Sequence, residues 1–245
     1  MAFNNKVAIV TGGAQGIGNA YVSALLKARV KVCICDINVD LVNEYIEKLP
    51  DDQKDFVIFQ KCDVSSFSDF KEAFKKVVSH FGKIDIVVNN AGIVNESDWK
   101  KMVGINFIGV IHGIKLGFEF MDTKKGGHGG IIINTGSCTG FDAYELVPVY
   151  TACKHGVHGL TKSYGTEFHF NRTGVKVCAV CPGAVETQLH HSLPSLCIDE
   201  EAAKNDRHIW KAITPDDVAK ALIKIIQDDQ NGALLRIDEE AMRYA

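Results

Sequence analysis

The stretch VAIVTGGAQGIGNAYVSALL, residues 7–26, decides the fold because three signals follow one another in it. A β-branched apolar run comes first, Gly12, Gly16 and Gly18 follow, and a helical pattern ends the stretch. Glycines are needed where a backbone turns tightly and approaches a pyrophosphate, and a helix N-terminus offers free N–H groups and partial positive charge. A plain turn is the alternative interpretation. The strand before and the helix after favour a phosphate-binding turn in a first βαβ unit.

Short apolar runs alternate with helical patterns through the rest of the 245 residues. Because these runs are nearly all apolar, they are typical of strands covered on both faces, as in a parallel sheet. The alternation predicts an α/β fold: a Rossmann-type doubly wound parallel sheet of about seven strands, with helices on both faces. We expect one domain over residues 1–245. The strand candidates are residues 6–11, 30–36, 56–63, 84–90, 130–137, 175–182 and 233–237.

Composition and charge give no reason to expect a nucleic-acid partner. Apolar residues make up 46 %, charged residues 23 %, and the net charge is −3. No uninterrupted apolar run approaches the roughly 18 residues of a membrane helix, so no membrane span is expected. The first residues resemble a strand and not a secretory signal, and the eight cysteines are therefore expected as thiols in a cytoplasmic protein.

Two groups of potential metal ligands stand out in the sequence. Cys178 and Cys181 form a C-x-x-C pair, but a second pair at zinc-like spacing is missing. A redox or metal role and a buried apolar role both remain open for this pair. His190 and His191 could bind substrate, but they lack a third ligand at suitable spacing, so we expect no metal.

Asp36 ends the second strand candidate, 18 residues after Gly18. A carboxylate at that place can accept hydrogen bonds from the adenosine ribose hydroxyls, and it would repel a 2′-phosphate. An ordinary aspartate in a surface loop is the alternative. The position at the end of the second strand favours the ribose-binding role.

The catalytic pattern lies further along the chain. Ser137 ends the fifth strand candidate, Tyr150 and Lys154 follow as Tyr-x-x-x-Lys, and Asn106 lies in the helix before them. With the glycine spacing G-x-x-x-G-x-G, this order resembles the short-chain dehydrogenase/reductase family over nearly the whole chain. The stretches VNESDWKK (94–101) and YTACKHGVHGLTKS (150–163) resemble its branch of NAD-dependent 15-hydroxyprostaglandin dehydrogenases and insect-type alcohol dehydrogenases.

The resemblance implies NAD as the cofactor. NADP-using members often carry a basic residue at the place of Gln15 or Ile37, and neither is basic here. Family members place Asp63 at the adenine, and Val185 and Thr187 at the nicotinamide carboxamide. The full set of implied NAD contacts is Gly12, Gln15, Gly16, Ile17, Gly18, Asp36, Ile37, Asp63, Val64, Asn90, Ala91, Gly92, Tyr150, Lys154, Pro182, Gly183, Val185 and Thr187.

The chemistry explains the residue types of the tetrad. Alcohol oxidation removes a hydride from carbon and a proton from the hydroxyl, and a phenol with a pKa near 10 is a poor base at neutral pH. We expect the Lys154 ammonium and the positive nicotinamide ring together to lower the pKa of Tyr150, the acid/base. By resemblance, Ser137 holds the substrate oxygen, Lys154 also binds the nicotinamide ribose, and Asn106 binds a water that links Lys154 to solvent. An isolated Tyr-x-x-x-Lys would be a solvated helix face.

The substrate is expected to contact Ser137, Tyr144, Val147 and Tyr150. Prostaglandin dehydrogenases carry a polar glutamine where this chain has Val147, so a more apolar pocket is expected. We expect a small-molecule alcohol of fatty, isoprenoid, steroid or eicosanoid type, converted to a ketone or aldehyde. One alternative is an enzyme that reduces a carbonyl group in the opposite direction. A more distant alternative is a non-catalytic regulatory protein that binds NAD.

The segment 188–212 is the least patterned part of the chain, and we expect it to form a lid over the substrate. Its large apolar side chains could form an apolar wall of the pocket or pack on the core: Leu189, Leu193, Leu196 and Trp210. By resemblance, the protein is a homodimer or homotetramer that uses the helices carrying Asn106 and Tyr150. Tyr164, Phe168 and Phe170 are compatible with that interface and equally with core packing.

Overall fold

The computed structural model describes residues 3–206 and 211–245. Its strands form one eight-stranded sheet. They are β1 (Val7–Thr11), β2 (Lys31–Asp36), β3 (Val57–Lys61), β4 (Ile86–Asn89), β5 (Gly130–Thr135), β6 (Val175–Pro182), β7 (Leu234–Ile237) and β8 (Met242–Tyr244). The order across the sheet is β3-β2-β1-β4-β5-β6-β7-β8, and only the β7–β8 pair is antiparallel. The doubly wound α/β fold is therefore confirmed.

Helices cover both faces of this sheet. They are α1 (Gly16–Lys27), α2 (Val39–Glu47), α3 (Asp51–Lys54), α4 (Phe67–Phe81), α5 (Trp99–Val103), α6 (Gly109–Met121), α7 (Pro148–Tyr164), α8 (Glu167–Thr173), α9 (Gln188–Ser192), α10 (Glu200–Asp206) and α11 (Pro215–Asp228). Buried side chains of α1, α2 and α11 share one core with the sheet, and those of α4, α6 and α7 share the other. Every residue of β1 is buried, as expected for a strand covered on both faces.

Several expected strands extend beyond the ladder at their carboxyl ends. Three strands end earlier in the structure than expected: those expected over 56–63, 84–90 and 130–137 end at Lys61, Asn89 and Thr135. The residues that follow leave the sheet and line the crevice above it. Strand order reverses where β1 pairs with both β2 and β4, and ligands of such sheets bind outside the carboxyl ends at that point.

An eighth strand corrects the expected number of about seven. β8 lies at the sheet edge and pairs antiparallel with β7, with Leu235 opposite Tyr244. The turn between them is held by Asp238, whose carboxylate accepts hydrogen bonds from Arg236 Nε at 2.8 Å and from both terminal nitrogens of Arg243 at 3.1 Å. The strand was missed because it has three residues, two of them exposed.

Among the described residues, one helical stretch, Trp99–Met121, is long and apolar enough to cross a membrane by length and composition alone. The stretch consists of α5, a short helical turn that carries Asn106, and α6. Ile114, Leu116 and Met121 of its α6 part are fully buried in the core against the sheet. The α6 part of the stretch therefore packs against the core of this fold.

Candidate active site

A cavity of about 590 Å³ lies above the carboxyl ends of the strands. The structure describes every site residue predicted from the sequence, and all of them except Asn106 line this cavity. They are Gly12, Gln15, Gly16, Ile17, Gly18, Asp36, Ile37, Asp63, Val64, Asn90, Ala91, Gly92, Ser137, Tyr144, Val147, Tyr150, Lys154, Pro182, Gly183, Val185 and Thr187. One cleft therefore joins the glycine turn to the tyrosine and the lysine.

The glycine turn is too tight to hold side chains. Gly12 and Gly16 have φ values of +63° and +56°, in the left-handed region that favours glycine. A Cβ on Gly18 would lie 2.0 Å from the carbonyl oxygen of Gly12. Helix α1 begins directly after the turn, and its N-cap, Gln15, makes no side-chain capping hydrogen bond. The turn therefore fits a pyrophosphate that approaches the backbone and the helix N-terminus.

Asp36 connects the end of β2 to the glycine turn. Its Oδ2 accepts a hydrogen bond from the Ala14 N–H at 3.0 Å, and its Oδ1 accepts one from the Asn38 N–H at 2.9 Å. Each oxygen keeps a further lone pair, so the carboxylate can also accept from ribose hydroxyls. Gln15 and Ile37 line the cavity with Asp36, and neither carries a charge. This environment fits NAD.

Asn90 clamps β4 to the glycine turn. Its Nδ2 donates to the carbonyl oxygens of Thr11 at 3.0 Å and Gly12 at 3.3 Å. The backbone N–H groups of Asn90 and Ala91 donate to Thr11 Oγ1 at 2.9 and 3.0 Å. Asn90 therefore fixes the shape of the turn, while its predicted contact with the cofactor remains a prediction.

Helix α7 carries Tyr150 and Lys154 on one face. Lys154 is buried, its Nζ donates to the Thr135 carbonyl oxygen at 2.7 Å, and Nζ lies 5.4 Å from the centroid of the Tyr150 ring. Burial lowers the pKa of Lys154 to about 8. A buried ammonium held by one carbonyl is thus placed beside the ring of the tyrosine.

The electrostatics of Tyr150 differ from the expectation. Burial raises the pKa of Tyr150 above its ordinary value, although the Ser137 hydroxyl acts against this as a hydrogen-bond partner. Lys154 alone does not lower the pKa in the protein by itself, and the lowering expected from Lys154 together with bound NAD stays a prediction. The reason is that desolvation of the phenolate outweighs the favourable interactions that the protein supplies.

Ser137 lies two residues beyond the end of β5, in the turn that leads to a 3₁₀ helix, Cys138–Gly140. Its Oγ accepts hydrogen bonds from the Thr139 N–H at 3.2 Å and the Thr139 hydroxyl at 3.0 Å. Both contacts occupy acceptor positions, and the hydroxyl itself donates to Cys138 Sγ at 3.9 Å. Sulfur is a weak acceptor, so a substrate oxygen in the cavity would replace it as the partner of this proton.

Asn106 lies in a single π-helical turn, Gly104–Ile108, between α5 and α6. Its side chain is buried, Oδ1 accepts from the Ile93 N–H at 2.9 Å, and Nδ2 donates to the Ile93 carbonyl oxygen at 2.7 Å. Asn106 therefore holds the loop after β4 in place without lining the cavity. Its predicted water-binding role remains a prediction.

Three apolar side chains of the lining, Val147, Leu189 and Leu193, form what we call the apolar end of the cavity. Val147 is buried, and the polar Gln188 and His190 line the cavity beside Leu189 in the sequence. The Tyr144 hydroxyl donates to Asp206 Oδ2 at 3.4 Å, and burial followed by the Asp206 charge raises the pKa of Tyr144 to about 12. Leu189 and Leu193 thus have the wall position that the sequence left open. Trp210 lies outside the described residues.

Sequence reasoning missed the role of His158, which lies four residues after Lys154 on α7. Its Nε2 accepts from the Ser137 N–H at 3.5 Å and lies 3.2 Å from Cys181 Sγ. Burial lowers the pKa of His158 to about 4, with a smaller effect from Lys154. A neutral imidazole therefore supports the Ser137 turn. The i, i+4 spacing from Lys154 was the available signal.

A second missed residue is Glu96, whose carboxylate contacts the backbone at the start of α7. In the sequence, the stretch VNESDWKK that contains Glu96 indicates only a family resemblance. The sequence signal for Glu96 is indirect, since Val147 and Pro148 leave that helix without a local cap.

The cysteine pair and the histidine pair form no metal site. No group of three His, Cys, Asp or Glu side chains that could hold a metal ion occurs among residues 3–206 and 211–245. All eight cysteines are free, and Cys181 contacts His158.

Comparison with known proteins agrees with this geometry. The family model described as short chain dehydrogenase matches residues 6–196. The chain belongs to the short-chain dehydrogenase family, as the resemblance predicted.

Two relatives and one solved structure are similar to this chain over most of its length. The human 15-hydroxyprostaglandin dehydrogenase [NAD(+)] is 38 % identical over 247 residues, covering 97 % of this chain and 92 % of that protein. Alcohol dehydrogenase 2 of Ceratitis capitata is 32 % identical over 180 residues, covering 73 % and 70 %. The crystal structure of levodione reductase superposes with a TM-score of 0.84 at 25 % identity, covering 96 % of this chain and 97 % of that one.

Proposed function

We propose that this protein oxidises the hydroxyl group of a lipophilic alcohol to a ketone or aldehyde, with NAD as hydride acceptor. The enzyme class follows from the family, and NAD agrees with the human relative, which is named for that cofactor. The observation that carries the proposal is one cavity lined by Asp36 at one end and by Ser137, Tyr150 and Lys154 at the other. The apolar end beside Val147 supports a lipophilic substrate.

The chain's own residues perform the proton chemistry. Bound NAD supplies the ring that accepts the hydride. The Ser137 hydroxyl donates a hydrogen bond to the substrate oxygen and holds it near the Tyr150 phenol. As the carbon loses its hydride, the substrate hydroxyl passes its proton to Tyr150 in its phenolate form, after the phenol's own proton has left to solvent. Lys154 and the positive nicotinamide ring of bound NAD would favour that phenolate. The Lys154 ammonium stabilises negative charge on the Tyr150 oxygen, and its hydrogen bond to Thr135 fixes its position.

A second candidate is carbonyl reduction by the same site. The raised pKa of Tyr150 supports it, because a neutral phenol is the proton donor that reduction requires. In this direction Tyr150 gives its proton to the carbonyl oxygen while the carbon receives the hydride. The same residues serve both directions, and the net direction depends on the concentrations of NAD, NADH, alcohol and carbonyl compound and on the pH.

We also propose that the segment 188–212 closes over bound substrate. Its described part includes α9 and the 3₁₀ turn Leu193–Leu196, and Leu189, Leu193 and Pro194 line the cavity. A closed apolar cover would exclude water from the reacting carbon.

For the whole molecule we propose one domain over residues 1–245, a cytoplasmic location and a homodimer or homotetramer. The free thiols support the location. Phe168, which is 58 % exposed at the end of the helix pair α7–α8, supports the assembly. Sedimentation of a single monomeric species would contradict the assembly.

An initial-rate screen with NAD tests the function. Alcohols of increasing chain length are compared, together with steroid and eicosanoid alcohols, and NADH formation is followed. Each buried methylene contributes about 0.8 kcal/mol, so kcat/KM should rise about fourfold per methylene while the chain fits the apolar end. Turnover of carbonyls with NADH but of no alcohol with NAD would favour the second candidate. No turnover in either direction would contradict both.

A further inference from the structure

The start of α7 lacks the usual local cap. Its N-cap residue is Val147, which has no side-chain acceptor, and its first residue is Pro148, which has no N–H. The N–H groups of Val149 and Tyr150 are therefore left without partners inside the helix. These two groups belong to the turn that carries the proposed acid/base.

Glu96 supplies the missing cap from another part of the chain. Its Oε2 accepts from the Val149 N–H at 3.2 Å, and its Oε1 accepts from the Tyr150 N–H at 3.0 Å. The two bonds span 53 and 54 residues of sequence, and Glu96 is only 8 % exposed. A carboxylate at a helix N-terminus is favoured by the helix dipole, and bonding by both oxygens fixes the direction of the helix start.

The backbone of Glu96 is bonded to the segment that covers the cavity. Its N–H donates to the Leu196 carbonyl oxygen at 3.0 Å, and the Ile198 N–H donates to the Leu146 carbonyl oxygen at 3.1 Å. Leu196 ends the 3₁₀ turn whose Leu193 lines the cavity. The covering segment is thus attached both to Glu96 and to the residue before Val147.

We propose that Glu96 is a positioning residue that couples the cover of the cavity to the placement of Tyr150. Glu96 acts through the Tyr150 backbone and through Leu196, without contacting the reacting atoms. When the segment 193–198 is seated, the helix start is held, and the phenol is aligned with Ser137 and Lys154. This inference rests on the proposed function, since it assigns the acid/base role to Tyr150.

The effect of substitution follows from the hydrogen bonds. Glu96→Gln keeps the size of the side chain but replaces one acceptor oxygen with an N–H₂ group that faces a backbone N–H. One bond is lost and a buried donor is left unpaired, which allows the helix start to shift. A misplacement of about 1 Å in a reacting group can lower a rate about 100-fold. Glu96→Asp keeps the charge on a shorter side chain and should restore part of the function.

The experiment compares Glu96→Gln and Glu96→Asp with a control variant that loses the N-cap hydrogen bond of a different helix. Ser66→Ala removes the N-cap hydrogen bond of α4, to the Asp69 N–H, and leaves α7 intact. For each purified protein we measure kcat, KM, NADH affinity and amide hydrogen exchange in peptides covering 148–153 and 193–199.

Glu96→Gln should lower kcat at least tenfold, about 1.4 kcal/mol, with NADH affinity within about twofold of the unmodified protein. Exchange should become faster in both peptides, and Glu96→Asp should give intermediate values. Ser66→Ala should lower the melting temperature and leave kcat and both peptides unchanged.

An unchanged kcat in Glu96→Gln would overturn the positioning role. Faster exchange at 148–153 alone, with 193–199 unchanged, would overturn the coupling. Glu96→Asp gives the same readouts if Glu96→Gln does not fold. The exchange measurement requires no substrate, so a failure of the proposed function, seen as no turnover by the unmodified protein, is distinct from a failure of this inference.

Discussion

Replacement of Gly18 by alanine should remove NADH binding because the glycine turn has no room for a methyl group. The added Cβ would lie 2.0 Å from the Gly12 carbonyl oxygen and 2.6 Å from Asn90 Nδ2. Carbon and oxygen approach each other to about 3.3 Å in ordinary close contacts, so the overlap with Gly12 is about 1.3 Å. The Gly12 carbonyl oxygen and the N-terminus of α1 are both parts of the backbone. The overlap can therefore be relieved only if the backbone that forms the pyrophosphate site moves.

A displacement of this size should weaken NADH binding at least tenfold, about 1.4 kcal/mol. Binding is measured by quenching or transfer of protein fluorescence during NADH titration, below the melting temperature of each variant. Gly82→Ala is the control. Gly82 has φ +85° with no atom within 4 Å of its added Cβ, so alanine adds about 1 kcal/mol of backbone strain remote from the cavity. If Gly18→Ala binds NADH within twofold of the affinity of the unmodified protein, the glycine turn is not the cofactor-binding backbone.

Two further predictions concern single side chains around the cavity. Asp36→Ala should raise kcat/KM for NADP relative to NAD at least tenfold, because the carboxylate that repels a 2′-phosphate is lost; an unchanged ratio in initial-rate assays would remove Asp36 from cofactor selection. His158, with a pKa of about 4 when folded and 6.5 as its ordinary value, should make the protein less stable as the pH falls between these values. In that window the unfolded chain binds a proton that the folded chain does not, so the free energy of unfolding rises with pH. Denaturant unfolding of His158→Gln should show a smaller pH slope across the window, and an equal slope would contradict the assignment.

Much of the fold could be predicted because its signals are local and repeated. Apolar runs, glycines and helical patterns alternate with little interruption, and each parallel strand is long enough to be recognised. The β8 strand is an exception, since three residues at an edge carry no periodicity. The predicted ends of β3, β4 and β5 were one or two residues too long, because the backbone hydrogen bonds that end each strand are not visible in the sequence.

The predicted site residues other than Asn106 meet in one cavity because the family motifs place them at or near the carboxyl ends of neighbouring strands. The interactions between distant segments could not be predicted in the same way. Glu96 reaches Tyr150 across 54 residues, and no motif connects the two. The raised pKa of Tyr150 in the protein by itself could not be predicted either, because the sequence shows the charged neighbour but not the burial that outweighs it.

The central claim is that Tyr150 is the acid/base of an NAD-dependent alcohol dehydrogenase. The most direct measurement is turnover of the best alcohol from the screen by Tyr150→Phe, with NADH affinity determined on the same sample. If Tyr150 is the acid/base, kcat should fall at least 100-fold, which is the lower range of general acid–base catalysis. NADH affinity should stay within about twofold of that of the unmodified protein. A Tyr150→Phe variant that binds NADH and oxidises the alcohol at the rate of the unmodified protein would contradict it.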